Sequence, residues 1–180
     1  MQVLYWDGEK QLVASIYGDA AGKSSIPCRV HSACISAHVF SSIECDCREQ
    51  LELSMQYIQQ EGAGVVIWLD QEARGNGMAA HIASQKLKRD GMSQSDAYQK
   101  LGYPADARRY ETAAEVLRDL KVESIVVLTN NPKKVDALRA AGLPVVKGSE
   151  RVYIVPDNAL LRKQYQDKIR DGHWIKYKED

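Results

Sequence analysis

Three cysteines, Cys34, Cys45 and Cys47, lie close together in a chain of 180 residues that holds only four. Three thiolates make a soft site that prefers zinc, and three protein ligands leave a fourth tetrahedral position open for water, the arrangement of a catalytic ion. The alternative is a set of free thiols in a reduced protein, since a Cys-x-Cys pair alone is weak evidence; disulfides are not expected. Cys28 stands apart, in a strand-like stretch from Ile26 to His31 where it shares a face with Val30 while Arg29 and His31 take the other. It reads as a small buried apolar residue, the alternative being a fourth ligand that would close the site and make the ion structural. His31 and His38 flank the cysteines, but three thiolates already satisfy a catalytic zinc.

A second group is cationic. Arg74, Arg108, Arg109, Lys133 and Lys134 all fall in or beside loops, where function concentrates. A triphosphate would want such a group, although each cation taken alone also reads as ordinary solvated surface. Glu72, in Gln71-Glu72-Ala73-Arg74, is suited to accept hydrogen bonds from the N1–H and 2-amino group of a guanine, or to cap a helix. Asp106 is placed to act as a base, to fix Arg108, or simply to open a helix after the turn at Pro104.

The elements that must position these residues follow from period and punctuation. Residues 3–17 read as two strands joined at a turn, Asp7-Gly8-Glu9-Lys10. Leu51, Met55 and Ile58 repeat at helical spacing over residues 43–60, and Gly62 and Gly64 end that helix. Val65–Leu69 is a buried strand running into the polar loop 70–77, with a helix from His81 to Arg89 beyond. Glu111–Leu120 reads as a helix, Ser124–Leu128 as a strand, and Thr129–Lys134 as a second polar loop, with Pro132 starting a helix that ends near Gly142. Residues 158–171 form an amphipathic helix. Two strand–loop–helix junctions at strand carboxyl ends predict an α/β (mixed α+β) domain over residues 1–180, with a mixed sheet, flanking helices and a ligand crevice at those loops.

Composition narrows the rest. Lys plus Arg equals Asp plus Glu at 24 each, so no global field attracts nucleic acid or an anionic bilayer, and a polyanionic ligand must be met by a local cluster. The apolar runs are too short to cross a membrane, and the opening residues read as a strand instead of a secretory leader. A cytoplasmic location is expected.

Taken together, these segments resemble GTP cyclohydrolase II. The resemblance rests on Arg29-Val30-His31-Ser32 leading to Cys34, on Cys45-Asp46-Cys47, Glu49-Gln50-Leu51-Glu52 and Gln71-Glu72-Ala73-Arg74, on Leu101-Gly102-Tyr103 with Asp106 and Arg108, and on Leu128 to Val135. It implies zinc on Cys34, Cys45 and Cys47 whose water attacks C8 of guanine, magnesium on the phosphates, a homodimer, and GTP held by Arg29, Gln50, Glu72, Arg74, Thr129 and Lys134. It also implies Asp106 as proton acceptor and Arg108 as the arginine that attacks the α-phosphate and expels diphosphate; from chemistry alone Arg108 would have a purely electrostatic role.

Departures accompany the likeness. Gln85 stands where the family has a catalytic tyrosine, Ala33 where it has Glu, Asp70 where it has Arg, Ala73 where it has Gly, and Glu44 and Arg48 where it has Arg and Gly. An amide cannot deliver a proton as a phenol can. The reaction that the resemblance implies is hydrolytic ring opening with release of diphosphate and formate. The alternatives are a paralogue that retains the formyl group and a catalytically silent nucleotide-binding protein.

Overall fold

A computed structural model describes residues 2–7, 12–146 and 152–176. Five strands, β1 (Gln2–Asp7), β2 (Leu12–Tyr17), β3 (Ile26–Ser32), β4 (Gly64–Leu69) and β5 (Ile125–Val127), make one sheet in the order β1-β2-β4-β3-β5. The β1–β2 and β2–β4 pairs are antiparallel, while β3 runs parallel to both β4 and β5. The sheet is mixed, as the junctions predict. The turn expected at Asp7–Lys10 runs into residues 8–11, which lie outside the described residues.

Alternation along the strands separates two cores. Leu12, Ala14, Cys28, Val30, Val65 and Ile67 face the helices α5 (Glu111–Asp119) and α6 (Pro132–Ala140) and pack with Val116, Leu117, Val135 and Leu138. Val66 on the opposite face packs with Ile58, Leu51 and Met55 of α2 (Cys47–Glu61). Helices on both faces of one sheet give the α/β domain expected. Cys28 is fully buried in the first core and its thiol is pushed up to about 12 by burial, in keeping with a small core residue. Arg29 and His31, on the other face, are buried as well, at 4% and 2% exposure, because α2 covers that side.

The remaining elements are short α1 (Ile35–His38), a 3-10 turn over Glu72–Gly75, α3 (Gly77–Arg89), α4 (Gln94–Lys100) and α7 (Ala159–Arg170). Helix α2 ends as predicted on Gly62, whose φ of 77° is the left-handed cap conformation that glycine adopts without strain. It begins four residues later than the periodicity predicts, because residues 43–46 bend to deliver Cys45. No helix among the described residues is long and apolar enough to cross a membrane.

Gly64 opens β4 under α2, where a Cβ would lie 2.7 Å from Ile58 Cγ2 and 2.8 Å from the Pro27 carbonyl oxygen. Since the carbonyl belongs to the sheet and cannot yield, Gly64→Ala is expected to destabilise the domain by about 1–3 kcal/mol through overpacking. Urea denaturation checks this; an unchanged midpoint would show that the layers are looser than drawn.

Candidate active site

The parallel strands β3, β4 and β5 end on one edge of the sheet, and the three loops that leave them build the site. Cys34 follows β3 as the first residue of the turn into α1, and Cys45 and Cys47 bracket the start of α2. Their sulfurs all lie within 4.8 Å of one another, with Cys34 Sγ 3.7 Å from Cys45 Sγ. A tetrahedral ion with Zn–S bonds of about 2.3 Å separates its sulfurs by about 3.8 Å, so the donor set fits zinc in type and in spacing. As thiols the three crowd one another: the hydrogen bond with Cys34, and then burial, push Cys45 up to about 12. All three become thiolates together only around a cation. His31 and His38 stay outside this group. Their Nε2 atoms meet at 3.0 Å, and His38 Nδ1 sits 2.7 Å from the Cys34 carbonyl oxygen, so the imidazoles buttress the ligand loop.

Behind the cysteines runs a buried polar chain. Asp46, with no exposed surface, accepts from Lys168 Nζ at 2.6 Å, Tyr165 OH at 2.7 Å and Gln50 Nε2 at 2.7 Å. Burial alone would raise its pKa, but the Lys168 charge and these hydrogen bonds hold it below the usual carboxylate range. Gln50 Oε1 in turn accepts from Arg29 at 2.7 Å, and Arg29 also donates to the Leu128 carbonyl at 2.8 Å. Lys134 donates to the Val30 carbonyl at 2.7 Å and lies over the Tyr110 ring. Arg29, Gln50 and Lys134 therefore reach the cavity with their polar groups already oriented by the protein.

The Gln71–Gly75 loop is clasped to the segment that carries Asp106 and Arg108. Gln71 exchanges two hydrogen bonds with the Arg109 backbone, and Ala107 N donates to the Arg74 carbonyl at 2.9 Å. Ala73 and Arg74 both have left-handed φ values, 56° and 57°, a conformation that costs an L-residue about 1–2 kcal/mol. Glu72 accepts from the Ile35 amide at 2.7 Å, tying this loop to the cysteine loop. Asp106 forms a two-pronged pair with the Arg108 guanidinium, which holds the carboxylate low and Arg108 protonated. Arg74 binds Ser95 Oγ at 2.7 Å and lies 3.5 Å from Asp171.

Cys34, Cys45, Cys47, Arg29, Gln50, Glu72, Arg74, Arg108, Thr129 and Lys134 all line one cavity of about 760 Å³. Asp106 lines a smaller one of about 220 Å³ that shares Arg74, Asn131 and His173 with it. Arg109 and Lys133, also singled out in the sequence, do not reach the larger cavity. Sequence reasoning did not find Asp46, Tyr165, Lys168 or His173 as site residues. The cations concentrate positive field there: burial, followed by the charges of Lys168, Arg108, Arg74 and Lys134, pushes His173 down to about 3.

Comparison with known proteins agrees with this arrangement. The sequence pattern of the family described as GTP cyclohydrolase II matches residues 3–150. The chain belongs to the GTP cyclohydrolase II family. It is 38% identical over 169 residues to the riboflavin biosynthesis protein RibBA of Bacillus cytotoxicus, covering 93% of this chain and 42% of that protein. The RibBA proteins of Aquifex aeolicus and Chlamydia trachomatis serovar D are 42% and 37% identical over 171 and 168 residues, each alignment covering 92% of this chain and 41% and 39% of theirs. The chain thus spans about two fifths of the length of these relatives.

Two predictions follow from the geometry. Gly75 combines a φ of 84° with a close approach, a Cβ there lying 2.9 Å from the Ala107 carbonyl carbon and oxygen. Gly75→Ala is expected to unclasp the Asp106–Arg109 segment and to lower stability by at least about 1 kcal/mol, seen as faster amide exchange at Ala107; unchanged exchange would count against the clasp. Separately, His31 and His173 are held neutral when folded but take up protons near pH 6.5 when unfolded. The unfolded state then binds more protons as pH falls from about 7 to 5, so stability drops, by up to about 1.4 kcal/mol per pH unit for each histidine. Urea unfolding of metal-free, reduced protein should show this slope, and His173→Asn should make it shallower.

Proposed function

We propose that this chain hydrolyses GTP, opening the imidazole ring of guanine with release of diphosphate and formate to leave a diaminopyrimidine ribonucleotide, as an enzyme of riboflavin synthesis. The observation that carries this reading is the meeting, in one cavity, of a three-thiolate site with Arg29, Arg74, Arg108 and Lys134. The first suits an ion with an open position, the second a triphosphate. Family membership supports both, and the RibBA relatives carry riboflavin biosynthesis in their names.

Cys34, Cys45 and Cys47 would hold zinc, which when bound supplies a water acidified enough to attack C8. Glu72, already fixed to the Ile35 amide, has lone pairs left to accept from the N1–H and 2-amino group of guanine and so orient the ring. Arg74, Thr129 and Lys134 would receive the phosphates, with magnesium carried on the phosphates themselves. Arg108, aimed by Asp106, would stabilise charge on the departing diphosphate, and Asp106, kept ionised by that pair, would hold the guanidinium in place for it. Phe40 and Ile82, 73% and 65% exposed at the cavity's edge, support the further proposal of a homodimer, and the four unbridged cysteines support the reducing cytoplasm as its location.

The second hydrolysis, which releases formate, expels an amine nitrogen that must gain a proton. Gln85 cannot provide it, but its amide lies 3.1 Å from His81 Nε2, with Ser36 Oγ 3.0 Å from the same atom. His81 lines the cavity and is kept neutral near pH 7, its pKa lowered by burial. We assign it the proton transfer that the family's tyrosine would assist: neutral His81 would take a proton from the attacking water and, once charged, return it to the departing nitrogen. The observation that Gln85 occupies that position also favours a second reading, in which the formyl group is retained.

Zinc-loaded protein incubated with GTP, with products resolved by mass spectrometry, tests the proposal. One formate per diphosphate is expected, with His81→Ala lowering the ratio by about 10²-fold or more. A low ratio in the wild type that rises in Gln85→Tyr would establish the formyl-retaining reading. Neither product in zinc-loaded protein that still binds GTP would leave a silent binding protein. Arg108→Ala should reduce diphosphate release by at least about 10²-fold with zinc retained. Arg108→Lys, which keeps charge but loses the planar fork that Asp106 grips, should recover little; substantial recovery would argue for simple charge.

A further inference from the structure

Asp46 is the N-cap of α2, a position where aspartate ordinarily accepts from an amide of its own first turn. It makes no such bond. Its carboxylate instead turns to α7, where Lys168 and Tyr165 donate to it at 2.6 and 2.7 Å, across 122 and 119 residues of sequence. Both covalent neighbours of Asp46 are members of the thiolate triplet. The buried stripe of α7 is Leu161, Tyr165 and Lys168, so a lysine occupies a position that would otherwise be apolar, and burying it is favourable only with an anion in place. The turn after α7 continues the contact: Trp174 N donates to the Asn130 carbonyl at 2.7 Å, and His173 Nδ1 lies 3.1 Å from Asn130 Oδ1. Helix α7, which lies beyond the residues that the family pattern matches, thus touches the cysteine loop through its C-terminal half, and the turn that follows it touches the Thr129–Lys134 loop.

We propose that Lys168 and Tyr165 are positioning residues for the metal ion: by gripping Asp46 they hold Cys45 and Cys47 in the orientation that closes on the ion together with Cys34. The charge balance points the same way. Three thiolates on a divalent ion carry net negative charge, Asp46 adds to it, and Lys168 is the cation that Asp46 contacts. Outer partners that orient metal ligands commonly change metal affinity by 10–100-fold. This inference rests on the reading of the triplet as a metal site but not on turnover of GTP.

The test measures zinc affinity by chelator competition, and the sulfur-to-metal absorption of the cobalt(II)-substituted protein, in wild type, Lys168→Met, Lys168→Arg and Tyr165→Phe. Lys168→Met is expected to weaken zinc by about 10- to 100-fold and to shift the cobalt spectrum. Tyr165→Phe should act in the same direction by several-fold, and Lys168→Arg should restore much of the loss. A purely structural lysine would lower the melting temperature without moving the cobalt spectrum of folded protein. Wild-type affinity and spectrum in folded Lys168→Met would overturn the inference, and if that variant does not fold, the same result in Tyr165→Phe would do so. Wild-type protein that binds neither zinc nor cobalt would overturn the metal-site reading and this inference with it.

Discussion

The parallel pairing of β3 with β4 on one side and β5 on the other is the constraint on which the rest depends. Parallel strands need crossover connections, so α2 and the α3–α5 run are required to carry the chain back between them. They also place three carboxyl ends, Ser32, Leu69 and Val127, on one edge. Since the chain leaves β3 for β4 and then returns across β3 to β5, the crevice opens at the point where the strand order reverses, a favoured place for ligands in such sheets. The cysteine loop, the Gln71–Gly75 loop and the Thr129–Lys134 loop are neighbours for that reason alone.

Within that crevice the protein arranges charge locally, with no net charge overall. Asp46, Asp106 and Asp171 each meet a cation, Lys168, Arg108 and Arg74 respectively. Such pairs do more to orient than to stabilise, because taking the charges out of water offsets most of their attraction. The partly exposed ones, Asp106–Arg108 and Asp171–Arg74, contribute little to stability, but each fixes a guanidinium that would otherwise sample many rotamers. An aligned cation group is then available to a polyanion without having to be ordered by it.

Much of this was legible in the sequence. The strands at 26–32 and 64–69 and the helices α2, α3, α5, α6 and α7 are set by local periodicity and by Gly62 and Pro132 acting as stop and start. Helix α4 was missed, although Ser93 and Asp96 are spaced as a capping pair and Ser93 Oγ accepts from the Asp96 amide at 3.1 Å. Its seven residues are too few to show a period. The face shared by Arg29 and His31 was read correctly as distinct from that of Cys28 and Val30, but its burial was not, because burial depends on which helix covers it. Glu72 was read as a group for base recognition or helix capping; that it also fastens the cysteine loop through the Ile35 amide depends on the meeting of two loops 37 residues apart.

The sequence by itself determined the donor chemistry: which residues are cysteines, carboxylates and guanidiniums, and that they sit in segments ordered as in the GTP cyclohydrolase II family. These are properties of side-chain type and near-neighbour spacing. Only the tertiary structure decided which of them are oriented by the protein and by what. Asp46 reads in sequence as a residue between two cysteines, and Lys168 as one cation on an amphipathic helix; helical spacing sets it on the stripe of Leu161 and Tyr165, unlike the exposed Lys163, but names no partner for it. Their contact spans 122 residues and exists because the sheet and α2 present Asp46 to a helix whose buried stripe ends in an ammonium. Long-range pairing of this kind leaves no periodic trace, since the energy that selects it comes from desolvation in the assembled fold and is absent from the local chain.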